Sequence, residues 1–117
     1  APVVLVYDGS PLAKKALQAA LALLDEESEE EALTVLTVGE GLEDCRRLRA
    51  EVEDELPPGD LNVRYRILST STAEKVAYRV RMEERGTVVL PAKKELVDNE
   101  ALKELLTEID VPVLLVR

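Results

Sequence analysis

Val3-Val4-Leu5-Val6-Tyr7-Asp8-Gly9-Ser10-Pro11 is the stretch whose reading decides the fold of this 117-residue chain. A β-branched apolar run ends at an acidic residue and a glycine turn. Ser10 is then placed to cap a helix by accepting a backbone N–H, and Pro11 fits the first helical turn, where its missing donor costs nothing. The helix reads from Leu12, Ala16, Leu17, Ala20, Leu23 and Leu24, which recur at helical spacing. Strand, tight turn, helix is the opening unit of an α/β sheet. In an open parallel sheet ligands sit at the carboxyl ends of the strands, which is where Asp8 stands.

The pattern repeats along the chain. Further apolar, β-branched runs occur at 33–38, 61–68, 87–90 and 111–116. A second helical stripe, Leu42, Cys45, Leu48, Val52 and Leu56, stops before Pro57-Pro58-Gly59. Ser71 and Glu74 form a capping box for a third helix with an inner face of Ala73, Val76, Ala77 and Val80, and Gly86 suits its C-terminal cap. Asp98 is placed to cap a fourth, carrying Leu102, Leu105, Leu106 and Ile109. Strands separated by helices imply right-handed crossovers and a parallel sheet covered on both faces. The unbroken apolar runs 88–90 and 113–116 suit strands buried on both sides. The third strand differs: Asn62, Arg64 and Arg66 alternate with Leu61, Val63, Tyr65 and Ile67, so one face is polar and an edge position is expected. One α/β domain over residues 1–117 is the expectation.

Composition removes several function classes. There is no histidine, so the commonest general base and metal ligand is missing. Aromatic residues are three Tyr and nothing else, too few for base-stacking platforms. The net charge is −9, and residues 1–60 hold 15 acidic and 5 basic side chains against 9 and 10 in the remainder. That balance disfavours nucleic acid, whose non-specific affinity comes from neutralised phosphates. The acidic run 25–31 lacks the alternating oxygen ligands and glycine of a calcium loop and reads as a solvated helix end. The single Cys45 lies on the inner face of its helix as a small apolar residue. With no signal peptide, no bilayer-length apolar run and no disulfide pair, a cytoplasmic protein that meets no membrane is expected.

Two enzyme-like or signalling readings fail on named positions. A phospho-receiver would need paired acids after strand one, an aspartate after strand three and a lysine after strand five. Here strand three runs into Ser69-Thr70 and strand five ends at Arg117. A dinucleotide enzyme would need G-x-G-x-x-G after the first strand. No nucleophile–base pair is visible, and Ser10 has no partner of that kind. No enzymatic activity is expected.

The opening Val3–Ser10, the Ala/Leu helix behind it and the closing Pro112-Val113-Leu114-Leu115-Val116 together resemble the universal stress protein (UspA-type) family, over the whole chain. The resemblance implies strand order 3-2-1-4-5, which agrees with a polar third strand at one edge. It implies that Asp8 stands where the family contacts a nucleoside, beside Gly9 and Ser10, and that Val38 matches the strand end whose backbone faces adenine. Nucleotide-binding members carry a glycine-rich loop after the fourth strand, whose backbone N–H groups approach the phosphates. This chain has Pro91-Ala92-Lys93-Lys94-Glu95-Leu96-Val97-Asp98-Asn99 there, shorter and without glycine. Lys93 and Lys94 are point charges without a cradle. Asp8 equally suits a turn residue bonding the backbone around Gly9 and Ser10.

The expectation is therefore a stress-response interaction module with no bound cofactor. An adenine-nucleotide-binding protein (ATP or AMP) with an atypical phosphate loop is the alternative. A homodimer is expected through the last strand, because Val111, Val113, Leu114, Leu115 and Val116 make an apolar edge that only Pro112 and Arg117 blunt.

Overall fold

The strand–turn–helix unit that opens the sequence recurs and stacks into one parallel sheet. The computed structural model describes residues 3–25, 32–56, 62–68, 73–82, 86–92, 100, 103–104, 107 and 112–117. In chain order the elements are β1 (Val3–Tyr7), α1 (Pro11–Asp25), β2 (Ala32–Val38), α2 (Leu42–Glu55), β3 (Asn62–Leu68), α3 (Ala73–Met82), β4 (Thr87–Pro91) and β5 (Val113–Val116). The described strands pair in parallel in the order β3-β2-β1-β4-β5, as expected. The expected fourth-helix stripe of Leu102, Leu105, Leu106 and Ile109, the side chains of the Ser71–Glu74 capping pair, and Val111 lie outside the described residues.

β1 is buried at all five positions because it is the central strand and both its faces are covered. Val3, Leu5 and Tyr7 join α1 and α2 in one core, with Leu33, Val35, Leu48, Val52 and Val89. Val4 and Val6 join Leu36, Val88, Leu90 and the inner face of α3, Val76 and Val80, in the other. α1 lies across β1, β4 and β5. Its inner positions Ala13, Ala16 and Ala20 are fully buried, and their small side chains let the helix sit close to the sheet. Leu17 on the same face is also fully buried, worth roughly 1.5–3 kcal/mol of transfer free energy. α2 covers β2 and β3 through Cys45, Leu48 and Val52.

Two local readings need correction. The alternation in β3 does not hold to its carboxyl end: Ile67 is 49% exposed, while Arg66 is half-buried and Leu68 packs with the α3-side core. An edge strand is covered by a neighbour on one side only, so its last apolar residue on the α2 face is left in solvent. β4 runs one residue further than the apolar pattern, through Pro91. The N–H groups of Val88 and Ala92 donate to Pro112 O and Val116 O of the β5 side, at 2.9 and 2.8 Å. The intervening odd position points away from β5, so a proline there leaves that ladder intact.

Candidate functional site

The carboxyl ends of β1, β2 and β4 meet at one rim of the sheet. At the end of β1 the chain turns on a closed set of hydrogen bonds. The Ser10 N–H donates to Asp8 Oδ1 at 3.0 Å, and the Ser10 hydroxyl donates to the same oxygen at 2.6 Å. Ser10 Oγ in turn accepts the Ala13 N–H at 3.1 Å, the cap expected from the sequence, and Pro11 opens α1. Asp8 thus fills the turn role that was one of its two readings. Gly9 sits at φ 81, a left-handed conformation, and a Cβ there would lie 2.7 Å from Leu48 Cδ2. Glycine is needed here both for the turn and for the approach of α2.

Val38 closes β2. Tyr7 pairs with Thr37, so Asp8 and Val38 occupy adjacent positions beyond that pair, and the structure brings the two candidates together. The Val38 side chain packs against the α3-side core. Beyond it, Gly39 N–H continues the ladder to Leu68 O at 3.1 Å, and a Cβ on Gly39 would meet Asp44 Oδ2 at 2.7 Å. Cys45 is buried, its thiol 3.5 Å from Thr37 O, as a structural cysteine should be. At the end of β4, Pro91 is buried and offers no donor, and the Ala92 N–H is committed to Val116 O. Lys93, Lys94 and the rest of that segment up to Asn99 lie outside the described residues.

A second feature of this rim was not anticipated. Tyr7, the only described strand residue of β1 with a polar atom on its side chain, donates its hydroxyl to Glu51 Oε1 of α2 at 3.0 Å. Glu51 also accepts from Arg47 at 2.6 Å, Arg47 donates to Asp44 at 2.5 Å, and Asp44 accepts the Glu40 N–H at 3.1 Å. The chain of bonds ties the core to the start of α2. Burial, and then the bond to Glu51, push the Tyr7 phenol above its ordinary pKa, so it stays a protonated donor. The Arg47 guanidinium, followed by the Glu40 N–H, holds the Asp44 carboxyl below its usual value. Tyr7 floors a groove of about 400 Å³ between α1 and α2, edged by Lys14, Gln18, Glu51, Asp54 and Glu55. The sequence signal was a lone tyrosine ending an aliphatic strand, together with Asp44, Arg47 and Glu51 at helical i, i+3 and i+4 steps.

The parallel strands, their order and the open carboxyl rim define a doubly wound α/β domain of the Rossmann-like type. Neither a family model nor a curated protein matches the sequence. Among solved structures, the chain is similar to hypothetical protein MJ0577, determined to assign a biochemical function from structure, with TM-score 0.73, 15% identity, and 98% of this chain and 94% of that one covered. It is also similar to a universal stress protein family member from Burkholderia pseudomallei, with TM-score 0.66, 18% identity, and the same shares of the two chains covered. The chain has the universal stress protein fold, which the motifs at its two ends had pointed to. Among the described residues no helix is long and apolar enough to cross a membrane.

Proposed function

We propose that the chain is a universal stress protein-like interaction module of the cytoplasm, acting in stress response as a homodimer and holding no ATP. The observation that carries the reading is the end of β4. Where a phosphate cradle needs free backbone donors, Pro91 has none and the Ala92 N–H is bonded to β5. No glycine follows in the sequence before Arg117. On the β1 side, Asp8 and Ser10 engage each other, and Gly9 is required by the approach of Leu48. Dimerisation is supported by β5, an edge strand whose Leu114 and Leu115 are 39% and 38% exposed.

The juxtaposition of Asp8 and Val38 favours one other reading, an adenine-nucleotide site that uses the nucleoside half alone. Calorimetric titration with ATP, ADP and AMP separates the two. The expected result is no saturable heat in the micromolar range. Nucleotide that co-purifies, or micromolar binding weakened by Asp8→Ala, establishes the alternative instead.

A further inference from the structure

The other sheet edge, β3, has features that neither the fold nor the proposed function uses. It is seven residues long, pairs with β2 without a bulge from Asn62 to Leu68, and contains no proline. Among the described residues no strand pairs with its outer side. Leu68 O accepts from Gly39 N–H, and Arg66 O accepts from Thr37 Oγ1, so these residues turn their backbones toward β2. By the alternation of a strand, the N–H and C=O groups of Val63, Tyr65 and Ile67 face away from it.

The side chains along this edge are sorted by chemistry. On the α2 face stand Val63 and Tyr65, half-buried, and Ile67, 49% exposed; Arg49 lies over the Tyr65 ring with its guanidinium carbon 4.4 Å from the centroid. On the other face stand Arg64, exposed, and Arg66, half-buried. The surrounding sequence is basic, with Lys75, Arg79 and Arg81 on α3 and Glu74 the only acid between positions 62 and 82. A second copy of the chain is a poor occupant. Two β3 strands meeting antiparallel about Tyr65 would set Arg64 opposite Arg66 of the other copy, and like charges directly opposite destabilise a pair.

We infer that β3 accepts an added strand from an acidic protein segment in which carboxylates alternate with apolar residues. The segment's backbone pairs with Val63, Tyr65 and Ile67, its carboxylates lie beside Arg64 and Arg66, and its apolar residues extend the stripe of Val63, Tyr65 and Ile67. Main-chain bonds supply affinity, and the arginines choose the partner. The net charge of −9 opposes an acidic ligand at long range, but at moderate salt that field is screened beyond about 10 Å while the arginine contacts are local.

The test uses three fluorescein-labelled peptides on the full chain: alternating glutamate and valine, alternating lysine and valine, and the glutamate peptide with alternate amides N-methylated. The glutamate peptide is expected to bind, to slow hydrogen exchange at the amides of Val63, Tyr65 and Ile67, and to weaken about tenfold as salt rises from about 0.05 to 0.5 M. The double variant Arg64→Glu/Arg66→Glu, checked for folding by circular dichroism, should prefer the lysine peptide. On the wild-type chain the lysine and N-methylated peptides should bind at least about tenfold more weakly than the glutamate peptide. Equal binding of all three peptides, no binding of the glutamate peptide up to millimolar concentration, or protection that appears elsewhere than β3 overturns the inference.

Discussion

Gly9 shows how a residue that stands in a ligand position can be fixed by the fold alone. Its φ of 81 is strained for any side chain, and the site a Cβ would fill is 2.7 Å from Leu48 Cδ2, itself fully buried. Gly9→Ala is therefore expected to cost about 2–3 kcal/mol in urea unfolding, from backbone strain and crowding together. Leu48→Ala should cost about 2–5 kcal/mol by leaving a cavity. In the double variant the methyl of the new alanine enters that cavity, so the combined loss should be smaller than the sum. Strict additivity would mean that only the backbone conformation, and not the contact, holds Gly9 in place. Tyr7 makes the matching case for pH. Its phenol is raised above the ordinary value of 10.0, so between that value and the folded one the unfolded chain has released a proton that the folded chain keeps. Stability from this group is complete below pH 10 and falls as pH rises above it, and Tyr65, raised chiefly by burial, acts in the same direction. Asp44 works at the other end. Its folded value lies below 3.8, so its contribution is present above that pH and fades as pH falls through the folded value. Tyr7→Phe should flatten the alkaline limb of a pH–stability curve and leave the acid limb unchanged; an unaltered alkaline limb would assign it to other groups.

The turn from β1 into α1 was the most legible element because three local rules agree there. A capping serine, a proline at the first helical position and an alanine-rich inner face each point to the same boundary, and the Ser10–Ala13 bond at 3.1 Å bears them out. Ser10→Ala should remove that bond and leave the Asp8 carboxylate without the hydroxyl, lowering the thermal midpoint by a loss of about 1 kcal/mol; Ser10→Asp should retain most of the cap. A variant as stable as the parent would show that Pro11 alone starts the helix. What stayed illegible in the sequence is what depends on distance across the fold. The bond from Tyr7 to Glu51 spans 44 residues, and no local pattern links an aliphatic strand end to one acid among several on α2. The carboxyl end of β3 misled for a related reason. Its alternation is local, but whether Ile67 is covered depends on how far α2 reaches over an edge strand. The apolar run ends at Leu90, and that β4 continues through Pro91 depends on which side of the strand faces β5, which the local pattern does not carry.

At the scale of the whole molecule the two sheet edges are built differently, and the difference bears on assembly. β3 carries arginines on one face, which set like charge against like if two copies meet there. β5 is four apolar residues, Val113–Val116, with two of its leucines more than a third exposed and no charge before Arg117. Association should therefore run through β5, with main-chain pairing and leucine burial working against the mutual repulsion of two protomers at −9 each. This opposition fixes the sign of the salt effect. Added salt screens the repulsion and leaves the backbone pairing and apolar contact in place, so the dimer should tighten as salt rises from about 0.05 to 0.5 M, the reverse of the peptide binding expected at β3. Light scattering at tens of micromolar should give a dimer mass for the parent chain and a monomer mass for Leu114→Lys, which sets two ammonium groups near the two-fold axis. Arg64→Ala, at the far edge, should leave the mass unchanged. A parent chain that stays monomeric at every salt concentration, or a dimer indifferent to Leu114→Lys, removes β5 as the interface, and a dimer that Arg64→Glu tightens, by setting a carboxylate opposite Arg66 of the other copy, moves it to β3.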